Sequence, residues 1–458
     1  MNTLRQTAPK LLGRIHAFDK YDPDTHGPIS PNSEIIVFWV TFSIWFVVLT
    51  EKIALPPFNI ELCLFEGVAC VAMLFWRKLL FIEKKRAIGY FIFAAVLVSE
   101  QLFTYFREPI SIPAILAAMV YYSVFMFIAP MERPAIFKIM CSFVNVTLFI
   151  GFMVYVDWAF NLAHHPIPNF DKILPESFQF LHYVYIQPTH WGSPYTKPNG
   201  FFMLEASHTS QFMAMGIVVE FYTRQNLLRL GFLGSALLLT FAGTGFLLLA
   251  LVIPLMLWRT KISTLLVAVL IVPLILGAAL AKGALNDYTR RSSEFTQVGQ
   301  SGNQRFVWPY QLAWKQLTST SDFHDSFLGV GASNAADDAR LPLVIKGKPN
   351  GSPSWGTPTK LIVEYGLFVA VVWSIFFIMI LFSSNVPIGI LFMLYIQYEF
   401  VNGGLLVPFE IFFAYFLGGI YMKPIPNWDL GFGRYGRGRR DWRQYNRSIE
   451  AAPIQSGS

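Results

Sequence analysis

Glu205, His208 and Gln211 recur at a spacing of three, which puts them on one arc of a helix that starts where a long polar and aromatic stretch ends. A carboxylate and an imidazole one turn apart are the side chains best suited to taking a proton from a hydroxyl. Further along, Arg290, Arg291, Arg305 and Arg340 share a second polar stretch. The guanidinium fork grips phosphate oxygens two at a time, and a preorganised set of guanidiniums stabilises charge that develops on a leaving diphosphate without help from a metal. A lipid diphosphate at the membrane surface is the natural ligand for two or three of these arginines. Glu205 is the expected base with His208 as the substitute, Arg290, Arg291, Arg305 and Arg340 are the expected diphosphate ligands, and neither metal nor cofactor is expected.

The elements that must position these residues are apolar. The chain has 458 residues, of which 54% are hydrophobic and 14% charged, the balance of a polytopic membrane protein. Apolar runs near 34–50, 60–76, 87–103, 110–130, 136–160, 201–222, 228–242, 244–258, 262–281, 357–382, 386–402 and 405–422 predict about twelve transmembrane helices in an all-α fold. The two runs beside Gly243-Thr244-Gly245 are short, and a hairpin that stops inside the membrane is an alternative to two full crossings. The domain plan is a polar tail over 1–33, a membrane domain over 34–422 and a basic tail over 423–458. The first run has no signal-peptide order before it and reads as an uncleaved anchor.

Lys and Arg in the short connections set the orientation. Arg5 to Lys20, Arg77 to Arg86, Arg133 and Lys138, Arg224 and Arg229, Arg259 and Lys261, and the tail arginines fall on one face, which is then cytoplasmic. The net charge of +7 reads as this topology signal with some contact to anionic lipid, and no nucleic-acid partner is expected. Cys63, Cys70 and Cys141 lie inside apolar runs, so neither a disulfide framework nor a zinc site is expected.

Only 161–200 and 283–356 form long connections, both exoplasmic in this threading and too aromatic for disorder. In the second, Pro309 starts an expected helix through Gln316 that presents Leu312, Trp314 and Leu317 to an apolar surface. Single aromatics there suit an interfacial belt; as a group with polar neighbours they also suit sugar rings. Glu100, Asp157, Glu205, His208, Lys360, Glu364, Gln397, Glu399, Asn402 and Glu410 all fall toward the exoplasmic ends of their runs, with Glu220 the exception. Such residues cost several kcal/mol at membrane depth unless paired or wet, so the set implies a polar cavity, with Gln211, Lys360, Glu364 and Glu399 lining it. Lys360 and Glu364, four apart, also suit a structural ion pair.

The string Gly200-Phe201-Phe202-Met203-Leu204-Glu205-Ala206-Ser207-His208 resembles the Glu-Pro-Ser segment of bacterial Wzy-type polysaccharide polymerases, with Ala206 in place of the Pro. Arg305, Trp308 and Phe327-Leu328-Gly329-Val330-Gly331 look like that superfamily's Arg, Trp and Gly-x-Gly pattern, and Glu364-Tyr365-Gly366-Leu367 like its Glu-x-Gly-Leu helix start. The resemblance covers residues 200–370 and rests on the order and spacing of the motifs. It implies a multi-pass glycosyltransferase of the GT-C type that joins glycan repeat units carried on undecaprenyl diphosphate at the outer face of the bacterial inner membrane. Membrane lipid and a chain-length regulator or export complex are the implied partners. The related O-antigen ligases carry a His about nine residues before the Glu-x-Gly segment, and Trp355 stands at that position here, which favours polymerase over ligase. A flippase or transporter for lipid-linked glycan is the alternative, and a structural part of an export complex a third; short cytoplasmic loops, no internal repeat and a one-sided polar cluster weigh against the carrier.

Overall fold

The computed structural model describes residues 29–56, 60–107, 109–164, 173–180, 187–189, 193–257, 301–318, 327–334, 354–401 and 405–422. The tail 423–458, the expected span 262–281, and Arg290, Arg291, Arg340 and Asn402 lie outside these residues.

The chain is mostly helical. In order come α1 (Pro31–Leu49), β1 (Ala54–Leu55), β2 (Ile60–Glu61), α2 (Leu62–Trp76), β3 (Phe81–Ile82), α3 (Lys84–Tyr105), α4 (Ile112–Ser123), β4 (Phe127–Pro130), α5 (Arg133–Leu162) and α6 (Ala206–Tyr222). They are followed by α7 (Leu227–Leu239), α8 (Thr244–Leu257), α9 (Ser301–Phe306), α10 (Trp308–Thr318), α11 (Thr357–Lys360), α12 (Leu367–Ser383), α13 (Ile388–Ile396), α14 (Pro408–Ala414) and β5 (Tyr421–Met422). Several starts are written in polar side chains: Ser30 accepts from the Ser33 N–H ahead of α1, Glu83 from Arg86 N–H at α3, and Asn226 from Leu228 and Arg229 N–H at α7.

Among the described residues, α1, α3 and α5 are long and apolar enough to cross a membrane, and six shorter helices are similarly apolar. Their outward faces carry Phe38, Phe91, Phe103, Phe152 and Ile375, each more than half exposed, while polar and charged residues are buried within. That inversion suits a protein solvated by lipid. α5, with 30 residues, is about 45 Å long and outruns a hydrocarbon core of about 30 Å, so its last turns stand clear and anchor the first loop. There Asp157 accepts from Asn199 N–H at 3.1 Å, and Asn161 accepts from the Thr196 hydroxyl at 2.8 Å.

Segments that the charge pattern puts on one face meet at one end. β4 pairs with β3 antiparallel and with β5 parallel, joining the connections before α3 and α5 to the chain just before the tail. Arg86, one of the charges that set the orientation, is buried here. Its guanidinium donates to the Ser383 hydroxyl at 2.8 Å and to the carbonyls of Ile380 and Gly419, and so fastens α3 to the end of α12. Glu220, the exception in the polar pattern, closes the α6–α7 turn by accepting from Asn226 N–H at 3.1 Å.

Three expected helices are broken. The run 357–382 is divided by Gly366, and 386–402 and 405–422 pass from α-helix into π turns at Gln397–Val401 and Tyr415–Gly419, with another π turn at Leu361–Tyr365. Periodicity does not announce such turns, because the extra residue is set by tertiary packing. In α10, Leu312 is buried and Trp314 is 70% exposed, so the two do not share the one apolar face expected of them, and Ala313 and Gln316 turn inward with Leu312. Cys63, Cys70 and Cys141 are buried free thiols.

The α7–α8 pair is nearly as deep as α6. Thr244 at the start of α8 bonds the Ser207 carbonyl at 3.0 Å and the Ser210 hydroxyl at 2.9 Å, while at the other end the Tyr222 hydroxyl donates to the Leu255 carbonyl at 3.3 Å. The α7–α8 turn therefore comes within about one helical turn of Glu205. Gly245 permits this approach, since a Cβ there would sit 2.2 Å from the Ser210 carbonyl oxygen, whereas one at Gly243 meets nothing within 4 Å. Gly245→Ala is expected to cost about 1–3 kcal/mol through overpacking, and Gly243→Ala close to nothing. Thermal unfolding of the two variants in detergent reads the difference; equal midpoints would mean that α6 and α8 are not in this contact.

Candidate functional site

A further set of buried polar groups gathers at the end opposite the small sheet. Glu205 is the residue before α6, with extended backbone (φ −146°), and its carboxylate does not cap the helix. It reaches out to Arg305 on α9, whose guanidinium donates to Glu205 Oε1 at 2.7 Å and to the Ser207 hydroxyl at 3.1 Å. The Ser207 hydroxyl also bonds Glu205, and the Gln187 amide donates to Glu205 Oε2 at 3.2 Å. A charge-assisted bond of this length is among the stronger ones a protein makes.

His208 lies one turn in, its Nε2 at 3.9 Å from Glu205 Oε1 and its Nδ1 against the Glu51 carboxylate. Glu51 also accepts the Leu204 N–H at 3.1 Å and is 1% exposed. The His208 ring stacks on Phe409 with centroids 6.4 Å apart. Glu51, His208, Glu205 and Arg305 thus form a chain of alternating carboxylate and nitrogen groups drawn from the segment after α1, the start of α6 and the second loop. Beside it, Lys52 donates to the Phe201 carbonyl at 2.6 Å, so both charged residues after α1 brace the approach to α6.

The quoted motifs converge as well. Val330 and Gly331 N–H donate to the Val363 and Glu364 carbonyls at 2.8 and 3.0 Å, so the Gly-x-Gly string lies on the Glu-Tyr-Gly-Leu string. Gly329, Gly331 and Gly366 have φ of +77°, +98° and +94°, backbone that side chains rarely adopt, and a Cβ on Gly329 would fall 2.7 Å from the Gly366 nitrogen. Ala313 of α10 packs with Val330 and Val363 against Trp355, which seats α10 on this corner. Gln101 of α3 ties in by accepting from Ala332 N–H at 2.9 Å and donating to the Glu364 carbonyl at 3.3 Å.

A second group lies on the π turn after α13. Gln397 donates to Glu410 at 2.5 Å, and Glu61 accepts the Phe409 N–H at 2.7 Å. Glu399 is 1% exposed and close to Tyr310 of α10, whose hydroxyl is pushed up to about 12 by burial and then by the Glu399 charge, so it stays protonated at neutral pH.

Of the expected site residues, Glu205, His208 and Arg305 come together; Glu399 lies by Tyr310 on the π turn after α13, and Glu364 contributes its backbone carbonyl to the glycine corner. Lys360 is half-buried in α11 ahead of the π turn, and Gln211 is buried on α6, neither of its amide atoms having a partner among the described residues. Arg290, Arg291 and Arg340 lie outside the described residues. Glu51 and Ser207 were not anticipated. A charged Glu-Lys pair closing an apolar run was the available signal for Glu51. The chain matches no protein family, no curated protein and no solved structure at a significant level.

Removing the Glu51 carboxylate strands the Leu204 N–H and the His208 ring. Glu51→Ala is expected to cost about 1–3 kcal/mol, and Glu51→Gln, which keeps an acceptor for the backbone, less. Unfolding midpoints of the purified variants decide it; an alanine variant as stable as wild type would show that Glu51 does not hold this segment.

Proposed function

We propose that this chain is an integral membrane glycosyltransferase with about twelve crossings and a GT-C-type plan, which polymerises lipid-diphosphate-linked glycan repeat units at the exoplasmic face of the bacterial inner membrane. The observation that carries the reading is the Glu205–Arg305 pair at 2.7 Å, a potential proton acceptor and a potential diphosphate ligand side by side at one end of an apolar helical body. The meeting of the two glycine-containing motifs supports it, since residues 327–331 and 364–367 belong to the pattern that resembles Wzy-type polymerases.

In this reading the acceptor hydroxyl oxygen bonds to the anomeric carbon of the donor sugar as the bond from that carbon to the diphosphate oxygen breaks. The hydroxyl proton passes to Glu205, and the leaving polyprenyl diphosphate keeps the bonding electrons, its charge met by Arg305 and by Arg290, Arg291 and Arg340 of the same loop. Arg305 and Glu205 neutralise each other within the chain. A diphosphate competes for the guanidinium and frees the carboxylate, so the base is exposed when the donor is in place. His208, held by Glu51 at Nδ1, stands behind Glu205 with its Nε2 at 3.9 Å and steadies the carboxylate.

Purified protein in detergent, given a lipid-linked repeat unit and no added metal, is expected to extend chains. Glu205→Gln is expected to lower the rate by about 10²–10⁴ and Arg305→Ala by about 10²–10³, while Arg305→Lys recovers only part because it lacks the planar fork. Wild-type activity in Glu205→Gln would remove it as the base, and single repeat units trapped on the cytoplasmic leaflet in cells would favour a translocator.

Orientation is testable separately. Cysteine at Ser193 or Ser333 is expected to react with an impermeant thiol reagent in intact cells, against a background kept low by the buried native thiols. Protection at both sites until the membrane is permeabilised would reverse the topology and move the site to the other face.

A further inference from the structure

α1 and α5 are each long and apolar enough to cross a membrane, and they start at the same end. There the Ser33 hydroxyl donates to Glu132, and deeper in the Trp45 indole N–H donates to the Ser142 hydroxyl at 3.2 Å. An outward-facing groove of about 470 Å³ runs along the two helices, within the roughly 300–1,000 Å³ of small-ligand sites. Its wall is one face of α1, made by Val37, Phe38, Thr41, Phe42 and Trp45, with Phe38 63% exposed. Its mouth carries Glu34 of α1 and Lys138 of α5. From Glu34 to Trp45 the groove follows α1 for about 16 Å, the depth of one leaflet of a hydrocarbon core about 30 Å thick. Trp45 rests on Phe149, ring centroids 5.9 Å apart, and closes the inner end. Lys138 lies one turn before Ser142 on α5, and its long stem lets the ammonium reach back toward the mouth. Glu34 and Lys138 are both exposed, and among the described residues no ion pair joins them.

We infer that this groove binds one phospholipid with an aminoethyl headgroup, its acyl chain along α1, its phosphate on Lys138 and its ammonium on Glu34. The apolar wall and its outward position call for a hydrocarbon chain, and the depth matches one leaflet. A carboxylate and an ammonium at the mouth call for a headgroup that carries both signs. A glycerol headgroup supplies only the phosphate, and Glu34 repels it. A choline headgroup has no N–H to donate to the carboxylate, whereas a primary ammonium has three. Bound there, the lipid wedges α1 against α5 beside the Ser33–Glu132 contact. The inference goes beyond the proposed function and does not depend on it; the orientation of the chain sets only which leaflet supplies the lipid.

The test is native mass spectrometry of the full chain in detergent, titrated with an equimolar mixture of phosphatidylethanolamine, phosphatidylcholine and phosphatidylglycerol that share the same acyl chains. Thr41→Trp fills the groove midway and leaves both charges, so it marks the lipid bound there. Wild type is expected to hold an additional phosphatidylethanolamine relative to Thr41→Trp and to prefer it over the other two lipids. Lys138→Gln is expected to weaken that lipid about three- to fivefold, and Glu34→Gln to shift the preference toward phosphatidylglycerol. A change of preference is a readout that altered packing alone does not produce, and unfolding midpoints check that each variant is intact. Equal retention of the three lipids by wild type, a wild-type preference for phosphatidylglycerol, or no loss in folded Thr41→Trp would overturn the site. If Thr41→Trp does not fold, an unchanged preference in both Glu34→Gln and Lys138→Gln overturns it by itself.

Discussion

An ionisable side chain that enters the apolar body of this chain is costly unless another polar group meets it, because lipid and packed hydrocarbon supply none. That requirement explains more of the architecture than helix propensity does. Arg86 locks α3 to α12 because buried carbonyls and the Ser383 hydroxyl are what its guanidinium can reach. Glu220 fixes the entry to α7 in the same way. Around Glu205 the requirement is met by residues from separate segments, and so it draws the second loop down onto α6.

The two ends satisfy the requirement with different chemistry. Arg86 is fully buried and bonds neutral groups that belong to the backbone or to a neighbouring helix, a contact that no arriving anion would displace. Arg305 is 27% exposed and bonds a carboxylate, so an anion of higher charge has both access and reason to compete. The sheet end is therefore built to stay closed, and the Glu205 end holds its cation in an exchangeable pair.

Much of this was legible in the sequence and some was not, for physical reasons. Helices α1, α3 and α5 match the runs 34–50, 87–103 and 136–160 to within three residues at each end, because an apolar run of that length has few alternatives in lipid. Helical spacing puts His208 and Gln211 on α6 as expected. Glu205 stands one residue ahead of the helix in extended backbone, so its nearness to His208 is not a consequence of that spacing. Arg305 stands out through an unusual density of arginine in one loop. Glu51 and Ser207 could not be ranked above other polar residues, since their roles depend on which helix ends meet. The break at Gly366 depends on a positive φ made favourable by its contact with Gly329, a partner distant in sequence. Leu312 and Trp314 are expected from sequence to meet one apolar surface, whereas Leu312 packs inward and Trp314 faces out, where lipid accepts a tryptophan as readily as the core does.

The position of the site is set by the glycine corner more than by the residues that would do the chemistry. α10 rests on Val330 and Val363, which are held together because Gly329 lets its backbone lie against Glu364 and Gly366. α9 precedes α10 directly, so the depth at which Arg305 meets Glu205 and the depth at which Tyr310 meets Glu399 share this one support. A side chain at Gly329 would lift the loop from both carboxylates together, leaving each of them buried and one of them without its cation. Glycine at that point in the chain is thus required by two buried carboxylates it does not touch.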